Sequence, residues 1–326
     1  MPRFILCVVL TLPLSGCYFM QAAKGQLELN SMREPIEDVL EDEATSPELA
    51  ARLRLVQEAR QFSVDELGLP DNKSYHTYAD IKRDFVVWNV FAAPEFSTKP
   101  KTSCFPVAGC VAYRGYFSKD DAIRESERLA AKGFDVSVGG VAAYSTLGKF
   151  NDPVISSMMN WDDVRLVGVL FHELAHQVLY VKGDSGFNES FATAVEEFGV
   201  KRWLTSRGQE DKIADYLDAR QLWQDLMSLV ADARDELTDL YSSELSDEEK
   251  RRQKRIRLDV LGSDAAALLE QNGRDATNWR NGELNNARLV TLTLYEGRLP
   301  EFRALLEQCE QDIECFYGKS RALAGR

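Results

Sequence analysis

The sequence predicts an α+β fold, predominantly helical, with a small sheet inside a body large enough for a sizeable core. Three observations carry this reading. Long stretches place apolar residues at helical spacing between capping signals. Phe134, Val136 and Val138 alternate with Asp135 and Ser137, the period of a half-buried strand. The 326 residues show no internal repeat, and 44% hydrophobic with 28% charged residues is an ordinary globular balance.

Taken in order, Ser46-Pro47 reads as an N-cap and first-turn proline, with Leu49, Leu53 and Val56 following at helical spacing, so a helix is expected near 47–62. Pro70, Pro94, Pro100 and Pro106 break up any long element between 63 and 118, where Phe85 to Val90 is the expected strand. Ser118 to Asp121 is a capping signal for a helix that Gly133 closes. The strand at 134–138 continues through Gly139-Gly140 toward Tyr144. Two apolar helices are expected near 160–182 and 188–204. Charged helical segments follow near 208–242 and from the capping box at Ser246 to Glu249, with shorter helices near 283–296 and 299–309.

The first residues suggest targeting. Arg3 precedes an apolar run, Phe4 to Leu14, too short to cross a bilayer but suited to the core of a secretory signal. Leu14-Ser15-Gly16-Cys17 resembles the bacterial lipobox, where the chain is cut before the cysteine and the thiol is lipidated. The organisation expected is a signal peptide over 1–16, a lipid-anchored tether with a first helix over 17–45, and the main domain over 46–326. An ordinary secretory signal with an incidental cysteine is the competing reading. Tyr18, rather than an inner-membrane retention aspartate, follows Cys17, so in a Gram-negative cell the outer membrane facing the periplasm is the expected location.

Cys7 would leave with the signal, and four cysteines remain beyond Cys17. They form two local pairs of equal spacing, Cys104/Cys110 and Cys309/Cys315, expected as disulfides in an oxidising compartment. Five residues stand within each pair where a zinc ribbon wants two, which argues against a four-cysteine metal site. The formal net charge of -13 with no basic stripe excludes nucleic acid as the expected partner.

The chemistry concentrates in His172-Glu173-Leu174-Ala175-His176, inside the apolar helix. Two imidazoles four residues apart project from one helix face and can reach one ion. Glu173 can take the proton of a metal-bound water, whose pKa zinc lowers toward about 7. Two satisfied core histidines would be the bland alternative. An apolar helix makes two His and a Glu costly unless they are ligated or paired, and these are two of only three histidines in the chain.

Asn188-Glu189-Ser190-Phe191-Ala192, with Glu196 beyond it, resembles the gluzincin metallopeptidases, in particular aminopeptidases of the membrane alanyl type. The match holds at Asn188, Glu189, Phe191, Ala192 and Glu196, with Ser190 in place of a glycine. The resemblance implies a thermolysin-like zincin core, one Zn2+ per chain, and Glu189 as third ligand beside His172 and His176. Glu196 or Glu197 is the alternative ligand. Twelve residues separate His176 from Glu189, fewer than in those aminopeptidases, and Gly183 to Gly186 supply turn chemistry for the shorter return.

A resemblance over nearly the whole chain is to bacterial lipoproteins described as predicted aminopeptidases. It rests on Cys17 to Leu29, Arg33 to Ile36, Ala143 to Gly148, Asp152-Pro153 and Asn285 to Leu289. It implies a peptidase acting on peptide substrates in the cell envelope, tethered to the membrane by its N-terminal lipid.

Gluzincins lay substrate along an edge strand before the zinc helix, and Gly139 to Thr146, including Gly140 and Ala142, is the candidate here. No acid stands in that stretch to hold a substrate ammonium, so the ammonium is met by Glu196 or not at all. Tyr295, with Arg288 beside it, is a candidate donor to the reaction's oxyanion, and Tyr144 is its rival. A core aromatic role competes for each. His76 is expected at the surface. Two other functions stay open: a zinc endopeptidase, and a non-catalytic envelope lipoprotein that docks partners through its 208–268 helical segment.

Overall fold

The computed structural model describes residues 15–105, 109–143, 145–148, 150–293 and 298–325, and the capping signals read from the sequence sit at helix starts. The chain opens with α1 (Ser15–Ser31), β1 (Arg33–Pro35) and α2 (Ile36–Glu41), followed by α3 (Pro47–Leu67). Ser46 caps α3 by accepting from the Leu49 N–H, and Gly68 ends it in a left-handed conformation that a glycine adopts without strain. Strands β2 (Thr77–Ala79), β3 (Val87–Pro94), β4 (Ser103–Phe105), β5 (Gly109–Val111) and β6 (Tyr113–Tyr116) lead to α4 (Lys119–Ala130) and β7 (Phe134–Val141). After the short β8 (Val154–Ile155) the chain is helical: α5 (Asp163–Val178), α6 (Ser185–Ser206), α7 (Asp211–Ser242), α8 (Asp247–Gln271), α9 (Thr277–Arg280), α10 (Asn286–Thr293), α11 (Leu299–Gln308) and α12 (Ile313–Ala324).

The fold is therefore mostly helical with small sheets. One has the order β6-β3-β7, antiparallel throughout. Its central strand is buried on both faces, which explains why β3 reads as an apolar run broken only by Asn89 rather than as an alternating one. Val90 and Ala92 pack toward Ala122 and Leu129 of α4. Phe91 and Ala93, pointing the other way, pack toward Ala287 and Val290 of α10. A second sheet of very short strands has the order β1-β2-β8, and β4 with β5 forms a separate hairpin.

The largest core lies among α3, α5, α6, α11 and α12, where Phe171, Phe187, Phe191, Phe302, Phe316 and Tyr317 are buried. Val230 and Leu237 of α7 meet Leu258 and Leu261 of α8 in a smaller core that Leu289 joins. The two expected disulfide pairs are bonded, Cys104 to Cys110 across the β4–β5 hairpin and Cys309 to Cys315 between α11 and α12.

The stretch expected as tether and first helix over 17–45 contains most of α1, then β1 and α2, and Leu29, Ile36 and Val39 are buried in the main core. The polar, acidic composition of this stretch hid three apolar side chains spaced to meet that core. No helix among the described residues is long and apolar enough to cross a membrane. The signal expected at 1–16 lies almost wholly outside the described residues.

Candidate metal centre

The site is built between α5 and α6, whose packing is the closest helix pairing around it. Asp162 caps α5 through the Arg165 N–H at 2.8 Å. Leu166, Leu170, Phe171 and Leu174 are buried and fix the helix rotation. That rotation leaves His172 and Glu173 half-buried and His176 buried beside them. The α5 helix stops at Leu179, which is extended, and Gly183 turns the chain at φ +85°. Asp184 then caps α6 through the Phe187 N–H at 3.0 Å.

Asn188 explains how so short a connection returns. Its side chain, almost fully buried, accepts from the Val181 N–H at 2.7 Å and donates to the Val181 C=O at 2.9 Å. The amide thus satisfies both backbone groups of one connector residue and stands next to Glu189 in the chain. Ser190, where the resembling family carries glycine, accepts the Arg298 N–H at 3.1 Å and so ties α6 to the start of α11.

His172 Nε2 lies 3.2 Å from Glu189 Oε2, and His176 Nε2 lies 3.8 Å from the same oxygen. One ligand atom from each of His172, His176 and Glu189 falls within 4.8 Å of the others. Tetrahedral ligands at zinc–nitrogen bond lengths stand about 3.3 Å apart, so the three atoms are spaced to close on one ion. The far side of His172 is also held: Nδ1 lies 3.1 Å from Glu196 Oε2. A carboxylate on the outer nitrogen is the usual support of a ligating imidazole, fixing tautomer and ring orientation. Gly168, one turn before His172, makes room for it, since a Cβ there would stand 3.3 Å from Glu196 Oε1. Tyr216 reaches the same carboxylate from α7 at 3.5 Å.

Electrostatics describe a place that demands a cation. Burial depresses His172, but the Glu189 and Glu196 carboxylates outweigh it and raise the ring to about 10. Burial and that neighbouring positive ring push His176 down to about 4. Burial also works to raise Glu189 and Glu196, yet the His172 hydrogen bonds hold both below the ordinary carboxylate value. The Glu189 and Glu196 carboxylates thus face the two nitrogens of the His172 ring from opposite sides. The donor set of two imidazoles and one carboxylate suits zinc and leaves a fourth position open.

Glu173 stands apart from the three candidate ligands. Burial raises it to about 7; the His172 charge opposes this, while Glu189 and Asp152 add to it. Buried Asp152 accepts from the Thr146 N–H at 2.9 Å and from the Ser145 hydroxyl at 3.1 Å. It curls the segment after β7 so that Ser145 interacts with Glu173.

The other expected site residues are distributed differently. Gly140 lies on β7, the edge strand of its sheet, opposite Trp88 and beneath the Phe85 ring, 2.4 Å from where a Cβ would be. Ala142 follows β7, but its carbonyl accepts the Ser157 hydroxyl at 2.6 Å, so this group is already engaged. Glu196, expected as a substrate contact, stands against His172 Nδ1, where Gly168 lets α6 press it toward α5. Arg288 sits on α10 against the sheet, and among the described residues no hydrogen bond or ion pair joins its side chain to the cluster. Tyr144 and Tyr295 lie outside the described residues. His76 is exposed, with Arg60 and Asp71 as its charged neighbours.

Sequence reasoning missed the Asn188 clamp, the Gly168 notch and the Asp152 brace. It also missed Tyr180, which lies in the connector close enough to Glu189 for that charge to help raise its pKa, after burial. Only Gly168 carried a readable signal, as a small residue one turn before a candidate ligand.

Residues 17–326 match the family model described as "Putative aminopeptidase". No curated protein and no solved structure matches.

Proposed function

The chain belongs to the family described as "Putative aminopeptidase", and from that premise we propose that it is a zinc-dependent peptidase. His172, His176 and Glu189 hold the metal on a thermolysin-like pair of helices. The observation that carries this is the convergence of those three side chains around a buried, cation-demanding point, with Glu173 beside it and not in it. Zinc bound there would supply a water acidic enough to ionise near neutral pH and a Lewis acid for the scissile carbonyl.

The chain's own groups do the rest. Glu173 takes the proton of the attacking water and returns it to the leaving amine; an acid with a pKa of about 7 exchanges protons readily in both directions. Glu196 keeps the His172 ring turned so that Nε2 faces the metal. The open edge of β7 is the surface on which an extended peptide adds as a strand. The family implies peptide substrates. An endopeptidase is the second reading, because the Glu196 carboxylate is committed to His172 and is not free to receive a substrate ammonium. Lipidation at Cys17 would place this activity in the cell envelope, at the outer membrane facing the periplasm.

The test is mass spectrometry of a peptide mixture incubated with zinc-loaded protein and with its Glu173→Gln variant. Both should bind about one zinc per chain, and only the first should cleave. Single residues lost from N-termini assign an aminopeptidase, and internal cuts an endopeptidase. Cleavage by metal-bound Glu173→Gln removes the general-base assignment.

A further inference from the structure

α1 is a two-faced helix whose inner face is accounted for and whose outer face is not. Inward, the Tyr18 ring packs on Tyr116 and under Arg114, whose guanidinium lies 4.2 Å from the ring centre. Gln21 donates to the Gly115 C=O and accepts from the Phe117 N–H, both at 3.2 Å. Gly25 admits the Phe117 ring, which stands 2.1 Å from where a Cβ would be, and Leu29 is in the core. Outward, Phe19 is 50% exposed, Met20 67% and Leu27 68%. With exposed Ala23 they form one stripe, because positions 19, 20, 23 and 27 fall on one side at 3.6 residues per turn. Lys24 and Glu28 border it.

The sequence says what can cover this stripe. The apolar run from Phe4 to Leu14 lies immediately N-terminal to α1, and the cysteine of the lipobox resemblance, Cys17, stands in its first turn. With the run retained in a bilayer, or cut and replaced by lipid on Cys17, the chain would enter α1 from a membrane; an unlipidated secreted chain would not. We propose that the outer face of α1, Phe19, Met20, Ala23 and Leu27, lies in the headgroup layer of that membrane. The helix then fixes the orientation of the whole domain instead of letting it swing on a tether. Lys24 at the border can extend to lipid phosphates while its stem stays along the apolar face. The inner-face contacts make the orientation rigid. They also bear on the metal centre, since the β4–β5 hairpin touches both regions. Phe105 of β4 stacks near Tyr18, with ring centres 5.5 Å apart, and Gly109 of β5 stands against Lys182 and Gly183 of the α5–α6 connector. The connector side of the metal centre is therefore held toward the lipid surface.

The inference rests on membrane attachment at Cys17 but not on catalysis. The test uses the full, lipidated chain in phosphatidylethanolamine–phosphatidylglycerol vesicles, with Ala23→Cys carrying an environment-sensitive fluorophore. Glu244→Cys, between α7 and α8, is the control. Docking predicts a blue shift and severalfold quenching by nitroxide-bearing lipid at position 23, with neither at 244. It also predicts loss of both signals in Phe19→Ser/Met20→Ser/Leu27→Ser protein that keeps its zinc stoichiometry and stays on the vesicles. A label at 23 as water-exposed as the control on vesicle-bound protein overturns the proposal. So does a shift that vanishes at one copy per vesicle, which assigns the face to a second copy. Protein that does not attach to vesicles at all overturns both the anchor and the docking face it positions.

Discussion

Replacing Asn188 by alanine probes how so short a connection can deliver the proposed metal ligand Glu189. The variant removes the acceptor of the Val181 N–H and the donor to the Val181 C=O, at 2.7 and 2.9 Å. Two such bonds contribute about 1 kcal/mol each, and the space left by a buried amide adds about another, so a loss of about 2–3 kcal/mol is expected. Val181 is half-buried, so water can re-solvate part of what is orphaned, and the upper figure is a ceiling. Glu189 is the next residue along, and freeing the connector should lower zinc affinity by about tenfold or more, as loss of an outer support commonly does. Urea unfolding with a chelator present measures the first effect without metal linkage, and competition against a zinc indicator measures the second. Asn188→Asp is the sharper variant. It keeps an acceptor for the Val181 N–H but sets a charged oxygen against the Val181 carbonyl, and it should be no better than alanine. If Asn188→Ala leaves both the urea midpoint and zinc affinity unchanged, the clamp is not what returns α6. If only stability falls, Asn188 braces the connector without placing Glu189.

The remaining expectations concern the metal and the staples. Glu196→Gln should lower zinc affinity about 10–100-fold while leaving one zinc per chain at saturation, read by equilibrium dialysis; unchanged affinity means that His172 needs no carboxylate behind it. The His172 proton stabilises the metal-free fold fully below about 6.5, and that contribution fades as pH rises to about 10, whereas zinc ligation requires the proton to leave. Zinc uptake near pH 8 should therefore release close to one proton per ion, and apparent affinity should climb with pH through that window. Calorimetry in two buffers of different ionisation heat counts the protons, and a count of zero removes the bridging role of His172. The two disulfides close equally short loops, worth about 2–3 kcal/mol each by loop entropy, but Cys309 is buried in the main core while Cys104 and Cys110 are exposed. The paired serine substitution at 309 and 315 should thus lower the urea midpoint more than the pair at 104 and 110.

What was legible in the sequence divides by range. Ser46, Ser118 and Ser246 announced helices correctly because a cap is a bond between residues three apart, and each side chain does accept the expected N–H. His172 and His176 were legible as a pair for the same reason, since one helix sets their spacing. β1, β2 and β8 were not, because strands of two or three residues have no period to read and exist only through partners brought from 33–35, 77–79 and 154–155. Glu196 was assigned to substrate by the absence of an acid elsewhere. Its actual neighbour depends on how closely α6 approaches α5, and only Gly168 hinted at that. How the 17–45 stretch packs was hidden by composition, its core contacts Leu29, Ile36 and Val39 being spread over α1 and α2 among polar residues.

The unpaired margin of β7 has a second side to it. A strand edge that can receive a peptide can equally receive the edge of another protein molecule, and such edges nucleate aggregates unless something blunts them. Asn285 covers part of the margin by donating to the Val136 C=O, but beyond it β7 carries little of the usual blunting: Val138 is exposed, Gly139 and Gly140 add no bulk, and the strand's one charge, Asp135, is turned inward to Lys254 and Asn286. Concentrated preparations should therefore lose solubility through this margin first, and an extended peptide occupying it should act as a solubilising agent, whether or not it is ever cut.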